Sequence, residues 1–162
     1  MNKILKITAG VFSIIAFCML FGNQIVYQYS LSGMGNYVKE FTFSEIFFEG
    51  VSVAGLSTFK PSILGFLAYL LILIAGVLVV VPIFIKKLDS KIALIGSVIA
   101  ALLSVTSIIF LFCIVSSFTS VNDVSAKGFS LATTPIIAII SSFIVLGLIV
   151  TTVYLEHFKK GK

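Results

Sequence analysis

Glu45 and Glu49 are the first residues in this 162-residue chain whose types and spacing could do chemistry. Four apart, they share one face if the run around them is helical, and two carboxylates on one face can hold a cation. Calcium and magnesium need more oxygen ligands than that. No third ligand stands nearby, so no metal site is expected. His157, beside Glu156, is the only histidine. It sits among Lys159, Lys160 and Lys162, where a solvated tail outweighs a ligand or general-base role. Cys18 and Cys113 both fall in apolar runs and serve best as small, soft packing residues; there is no CxxC pair. No catalytic residue and no cofactor follow from these groups, and the chain reads as a non-enzyme.

The elements that carry these residues are set by composition. Apolar residues make up 59% of the chain and charged residues 10%, against about 45–50% and about 25% in a soluble domain. A soluble enzyme is thereby excluded and an integral membrane protein indicated. Eleven lysines, no arginine and six acids give a net charge of +5. An excess of that size is what loop orientation in a bilayer requires, so no nucleic-acid partner is implied. Abundant Lys, Ile and Phe without Arg or Trp fits an AT-rich bacterial genome.

Four runs reach the roughly 20 apolar residues needed to cross hydrocarbon: about 4–22, 63–85, 92–116 and 135–155, leaving outer loops 23–62 and 117–134 in a single four-helix transmembrane domain. The first, preceded by Lys3 and Lys6, has the look of a secretory signal, but Phe17 before Cys18 and the stretch Phe21-Gly22-Asn23-Gln24 offer no small-x-small cleavage site, so a retained helix is expected. With both termini in the cytoplasm, eight of the eleven lysines lie inside, and only Lys39, Lys60 and Lys127 lie outside with four of the six acids. The inner connection 86–91 is so short that the second and third spans must form an antiparallel hairpin. Thr134 before Pro135 is an expected N-cap, Pro61-Ser62 is expected to open the second span, and Pro82 to kink its end.

Helices in lipid pack through small residues. Gly96, Ala100 and Ser104, flanked by Ser97, Ala101 and Ser107, predict a smooth packing stripe on the third span, and Ala138, Ser142 and Gly147 a looser one on the fourth. Such stripes could also serve a homo-oligomer. No span carries Asp, Glu, Lys, Arg or His near its centre, the usual mark of ion coupling or intramembrane chemistry. Small multidrug transporters need a membrane-embedded carboxylate, which rules that family out. Hydroxyls such as Ser104, Ser107 and Ser142 leave open an oligomeric channel or transporter component as the alternative function.

The first outer loop is too long for a simple connector. Thr42 and Glu45 have capping-box spacing and Gly50 is a natural stop, while Phe43, Ile46 and Phe47 fall at i, i+3 and i+4. A short amphipathic helix is expected there, packed on the bundle or presented to a partner. In the docking version Phe41, Phe43, Ile46, Phe47 and Phe48 make the surface and Glu45 and Glu49 set orientation. Tyr27, Tyr29 and Tyr37 surround a turn-like stretch, with a brief extended segment at Tyr27–Leu31. The second outer loop reads as turns alone.

The lysine-rich start, the run Phe43-Ser44-Glu45-Ile46-Phe47-Phe48-Glu49-Gly50 and the helix Phe66-Leu67-Ala68-Tyr69-Leu70-Leu71 resemble small uncharacterised four-span membrane proteins of low-GC Gram-positive bacteria and their wall-less relatives. That resemblance implies no known activity. The topology is also similar to that of claudins and tetraspanins, without the Trp and cysteine pair of the former or the Cys-Cys-Gly of the latter. The expected fold is therefore an all-α, four-transmembrane-helix bundle in a bacterial plasma membrane with a short amphipathic helix in its first extracellular loop. Its expected role is a non-catalytic accessory or scaffold subunit whose partners are the lipid bilayer and a membrane protein or a second copy.

Overall fold

The computed structural model describes residues 2–31, 35–52, 58–85 and 90–158. The connection 86–89 expected between the second and third spans, residues 32–34 of the stretch expected to be turn-like and the C-terminal lysines lie outside that set, as does the side chain of His157. Four helices are long and apolar enough to cross a membrane, Lys3–Phe21, Leu64–Phe84, Ser90–Phe112 and Thr133–Glu156. The chain is a multi-pass membrane protein. Its helices are α1 (Asn2–Cys18), α2 (Leu64–Phe84), α3 (Ser90–Phe112), a shorter α4 (Ile114–Val121) and α5 (Thr133–Val153), the last extended by a π-helical turn Tyr154–Phe158. Packing runs α1 on α2, α2 on α3, α3 on α5 and α5 back on α1, a closed ring of antiparallel neighbours.

Each spanning helix turns a heptad-spaced set of residues inward. The buried stripes are Ala9, Ser13, Ala16 and Leu20; Ala68, Ile72, Ala75 and Val79; Ser97, Ala100, Ser104 and Ser107; and Ala138, Ser142, Val145 and Ile149. Alternating steps of three and four keep one seam facing the neighbours, as in left-handed bundles. Their small residues let backbones approach where lipid supplies no hydrophobic drive. Of the stripe expected on the third span, Ser97, Ala100, Ser104 and Ser107 are buried, and its two other members lie beside that seam. Ser97 takes the buried place, Gly96 is half-buried with a Cβ position 4.0 Å from the Leu78 carbonyl, and Ala101 is half-buried on the outer side. A close contact between spans lies elsewhere, where Gly76 of α2 meets Ser13 and Gly10 of α1.

Buried hydroxyls are satisfied within the bundle. Ser104 donates to the Ala100 carbonyl and Ser142 to that of Ala138, both at 2.8 Å, and Ser107 crosses to the Ala68 carbonyl of α2 at 2.8 Å. At the end carrying both termini, the Lys6 ammonium meets the Glu156 carboxylate at 2.9 Å with both side chains mostly buried. Glu156, read as part of a solvated tail, instead staples α5 to α1. Helix α2 continues through Pro82 and stops two residues later.

The opposite end is not all-α. The connection between the first two spans, expected as the first outer loop, forms an antiparallel hairpin, β1 (Asn23–Leu31) and β2 (Gly35–Thr42), and that between the last two, expected as the second, supplies β5 (Phe129–Leu131) to the other edge of β1, giving the order β2-β1-β5. A two-residue pair, β3 (Val51–Ser52) and β4 (Thr58–Phe59), completes the layer. Three expectations are corrected here. The second outer loop is not turns alone, because α4 prolongs the third span beyond a break at Cys113 and β5 joins the sheet. The brief extended segment at Tyr27–Leu31 is the middle of a strand nine residues long. The Thr134 hydroxyl does not cap α5, which starts at Thr133 with Ala132 before it; it donates to the Asn23 carbonyl, tying β1 to the top of the bundle.

Candidate docking surface

The outer layer is seated on the bundle by one polar knot and one aromatic cluster. Gln24, fully buried, donates through its amide to the carbonyls of Leu20 and Gly22 at 2.9 Å and of Met19 at 3.0 Å, while its oxygen accepts the Tyr69 hydroxyl at 2.7 Å. These bonds gather the carbonyls of the turn that follows α1 and lock β1 to α2. Above them Phe41 of β2, Phe59 of β4, Phe118 of α4 and Phe129 of β5 pack ring on ring, with Phe41 5.5 Å from Phe118 and 5.9 Å from Phe59. Both outer loops therefore share one core. Asn122 adds a polar clasp, donating to the Lys60 carbonyl at 3.0 Å and accepting the Lys60 N–H.

The run from Thr42 to Gly50 keeps its expected local chemistry in a smaller form, a π-helical turn of five residues, Glu45–Glu49. Glu45 accepts the Thr42 N–H at 2.8 Å and the Thr42 hydroxyl at 3.0 Å, half of a capping box, and pairs with Lys39 at 2.8 Å. Gly50 ends the turn at φ +71°, a conformation that disfavours side chains, and a Cβ there would strike the Phe59 carbonyl. Ile46 and Phe47 are buried, the Phe47 ring lying 2.6 Å from the Cβ position of Gly65 on α2. Phe48 is 51% exposed and contacts Phe43 and Phe66 edge-on, at 6.1 and 5.2 Å.

The residues expected to form the docking surface thus separate. Phe41, Ile46 and Phe47 face inward and hold the outer layer to the bundle, because Phe59, Phe118 and Gly65 offer apolar surface that water does not. Phe43 is half-buried beside Phe21, at 5.4 Å. Only Phe48 and Glu49 are exposed, on the rim between α1 and α2. Glu45 is engaged by Lys39 and Thr42, so the two carboxylates do not make a cation site together. Among the described residues no three metal-ligating side chains gather.

Burial pushes the Glu45 carboxyl pKa up, but the Lys39 and Thr42 hydrogen bonds and the Lys39 charge outweigh it and leave it below the ordinary 4.5. A depressed folded-state value means that the clip stabilises the turn fully above the ordinary value and loses that contribution as pH falls through the lowered one. The protection of the Thr42 amide, taken relative to its intrinsic exchange rate at each pH, is therefore expected to be full above the ordinary 4.5 and to fall as pH drops through the lowered value. A Glu45→Gln variant should exchange faster and without that acid step; protection lost well above pH 4.5 in the parent would contradict the clip.

The exposed feature that sequence reasoning passed over is the hairpin itself. Phe129, Tyr27, Tyr29 and Tyr37 stack in series at 4.1, 5.3 and 5.7 Å, with ring planes within 22° of parallel. The stack runs from the Phe41 and Phe118 cluster towards the tip and stiffens the arm along its length. Near the tip Tyr37 is 39% and Val38 62% exposed. Strand β2 is hydrogen-bonded on one side only, to β1, leaving its outer edge without a neighbouring strand among the described residues. The tyrosine alternation at 27, 29 and 37 was the available signal. No family model, curated protein or solved structure matches the chain.

Proposed function

We propose that this chain is a non-catalytic accessory or scaffold subunit of a bacterial plasma membrane, with both termini cytoplasmic, which docks a membrane-protein partner through its outer layer. The observation that carries the reading is the stiffened hairpin arm, whose β2 edge and exposed Tyr37 and Val38 stand clear of the chain's own core. Uncovered strand edges are templates for pairing, and exposed aromatic residues on a rigid support are common anchors of an interface. Lysines near the inner helix ends and the seating of both acid-bearing outer loops at the other end support the orientation. The arginine-free composition, rich in Lys, Ile and Phe, supports the membrane assigned. A pore through one copy has less support, since Ser104, Ser107 and Ser142 direct their hydroxyls to backbone carbonyls.

Affinity purification from native membranes in mild detergent, with crosslinking and mass spectrometry, tests the proposal. A Tyr37→Ser, Val38→Lys chain is expected to insert and fold normally while recovery of a stoichiometric partner falls by about tenfold or more. Undiminished recovery would remove the arm from the interface. Recovery of the chain alone, as a defined oligomer, would favour the channel reading and make flux through purified protein in liposomes the deciding measurement.

A further inference from the structure

We propose, resting on that docking reading, that the partner supplies an extended segment which adds to the outer edge of β2 as a further strand, with an apolar residue across from Val38 and a lysine or arginine across from Glu40. The direction of the backbone groups follows from bonds the sheet already makes. On the β5 side the Gln28 N–H donates to the Gly128 carbonyl at 2.9 Å and the Ala132 N–H to that of Gln24 at 3.1 Å. Even-numbered residues of β1 therefore bond to β5, and the odd-numbered Ile25, Tyr27 and Tyr29 bond to Phe41, Lys39 and Tyr37 of β2. The same alternation turns the N–H and C=O groups of Asn36, Val38 and Glu40 away from β1, to the edge that has no neighbouring strand among the described residues. Thr42 follows the same phase, and its N–H is accepted by Glu45, which closes that end of the edge. Donors and acceptors at three alternate positions are what another extended backbone satisfies together.

Charge specifies what that backbone carries. The side chains of Asn36, Val38 and Glu40 share one face of β2, and all three residues are exposed, Val38 by 62%. Glu40 accepts the Asn23 amide but has no ion-pair partner among the described residues. Side chains directly across a strand pair meet on one face, so a basic residue there answers the carboxylate and an apolar one two positions away covers Val38. A second copy fits less well. In an antiparallel two-fold pairing of two β2 edges, this hydrogen-bonding phase sets even-numbered residues across from even-numbered ones. Strand β2 has no basic residue at an even position, and Lys39 lies on the opposite face, held by Glu45.

Full-length protein in nanodiscs is titrated with the synthetic peptide Thr-Lys-Thr-Val-Thr-Lys-Thr, which carries a lysine two residues from its valine in either strand direction. Amide exchange is expected to slow at Asn36, Val38 and Glu40 and to stay unchanged at Tyr37 and Lys39, whose N–H groups already face β1. A peptide with glutamate for lysine should bind about fivefold more weakly, the worth of one cross-strand charge pair, and Glu40→Lys should reverse that preference. Val38→Pro removes an outward donor without touching the β1 ladder, as an edge strand allows, and should abolish binding. No binding, binding without protection at alternate residues, or a lysine preference that survives Glu40→Lys would overturn strand addition. So would the same protection in protein alone, rising with its concentration, which would put a second copy on the edge. A native partner retained by Val38→Pro but lost on Tyr37→Ser, Val38→Lys would end strand addition and leave the docking reading standing; one retained by both would end that reading as well.

Discussion

A Gly76→Leu chain is expected not to assemble its bundle. At this position a Cβ would fall on the Ser13 Cβ, closer than two unbonded carbons can approach, with the Gly10 Cα only 3.7 Å away. Ser13 cannot swing aside, because the clash is with its Cβ and its hydroxyl is tied to the Ala9 carbonyl at 2.9 Å. The backbones of α1 and α2 must separate instead, and the loss is spread over the seam that joins them. Alanine alone should cost about 1–3 kcal/mol by overpacking, and leucine more than a marginal bundle can bear. The control is Gly147→Leu. Nothing lies within 4 Å of a Cβ there, so that change should leave thermal unfolding in detergent nearly unchanged. If the two leucine variants unfold at the same temperature, the glycine contact does not hold α1 to α2.

That contact shows where reading a membrane sequence stops. The four spans were legible because an apolar run about 20 residues long has few other uses. The expected 63–85 and the observed Leu64–Phe84 differ by one residue at each end. The face each helix buries was not legible in the same way. With lipid outside and protein inside, both faces are apolar, and only the spacing of small residues distinguishes them. On α3 that spacing is ambiguous, since Gly96 and Ser97 are adjacent and either can begin a stripe; the structure chooses Ser97. The Gly10 and Gly76 pair joins residues far apart in sequence, and nothing local marks them as partners.

The outer layer was harder still. Its aromatic residues were visible, and so was the local order around Thr42 and Glu45. What they face depends on β5 and α4, which the chain supplies much later. Without Phe118 and Phe129 in view, Phe41 reads as surface for another protein, as Phe47 does without Gly65. The strand alternation Ile25, Tyr27, Tyr29 was present, but the glycine-rich sequence after it hid its partner strand. Gln24 and Lys6 show a related limit. A polar residue at the edge of an apolar run reads as interfacial, yet each is buried here because a specific partner, Tyr69 or Glu156, lies on a different helix.

The second large effect follows from that inward placement. Phe41→Ala is expected to uncouple the outer layer from a bundle that stays inserted. The ring is fully buried and packs on Phe59 of β4, Phe118 of α4 and Phe129 of β5, joining three further pieces of the layer. Removing it should cost about 3–5 kcal/mol, against about 1.5 kcal/mol or less for the more nearly volume-conserving Phe41→Leu. Protease added to the outer side of sealed vesicles should cut the first outer loop of the alanine variant rapidly, spare the parent and the leucine variant, and leave all spans protected. Resistance equal to the parent's would mean that the sheet is held by β1 and the Gln24 knot alone. The same reasoning governs any test of docking. A partner lost on changing Phe41 or Phe47 reports a collapsed layer, whereas one lost on changing Tyr37 or Val38 reports the surface itself.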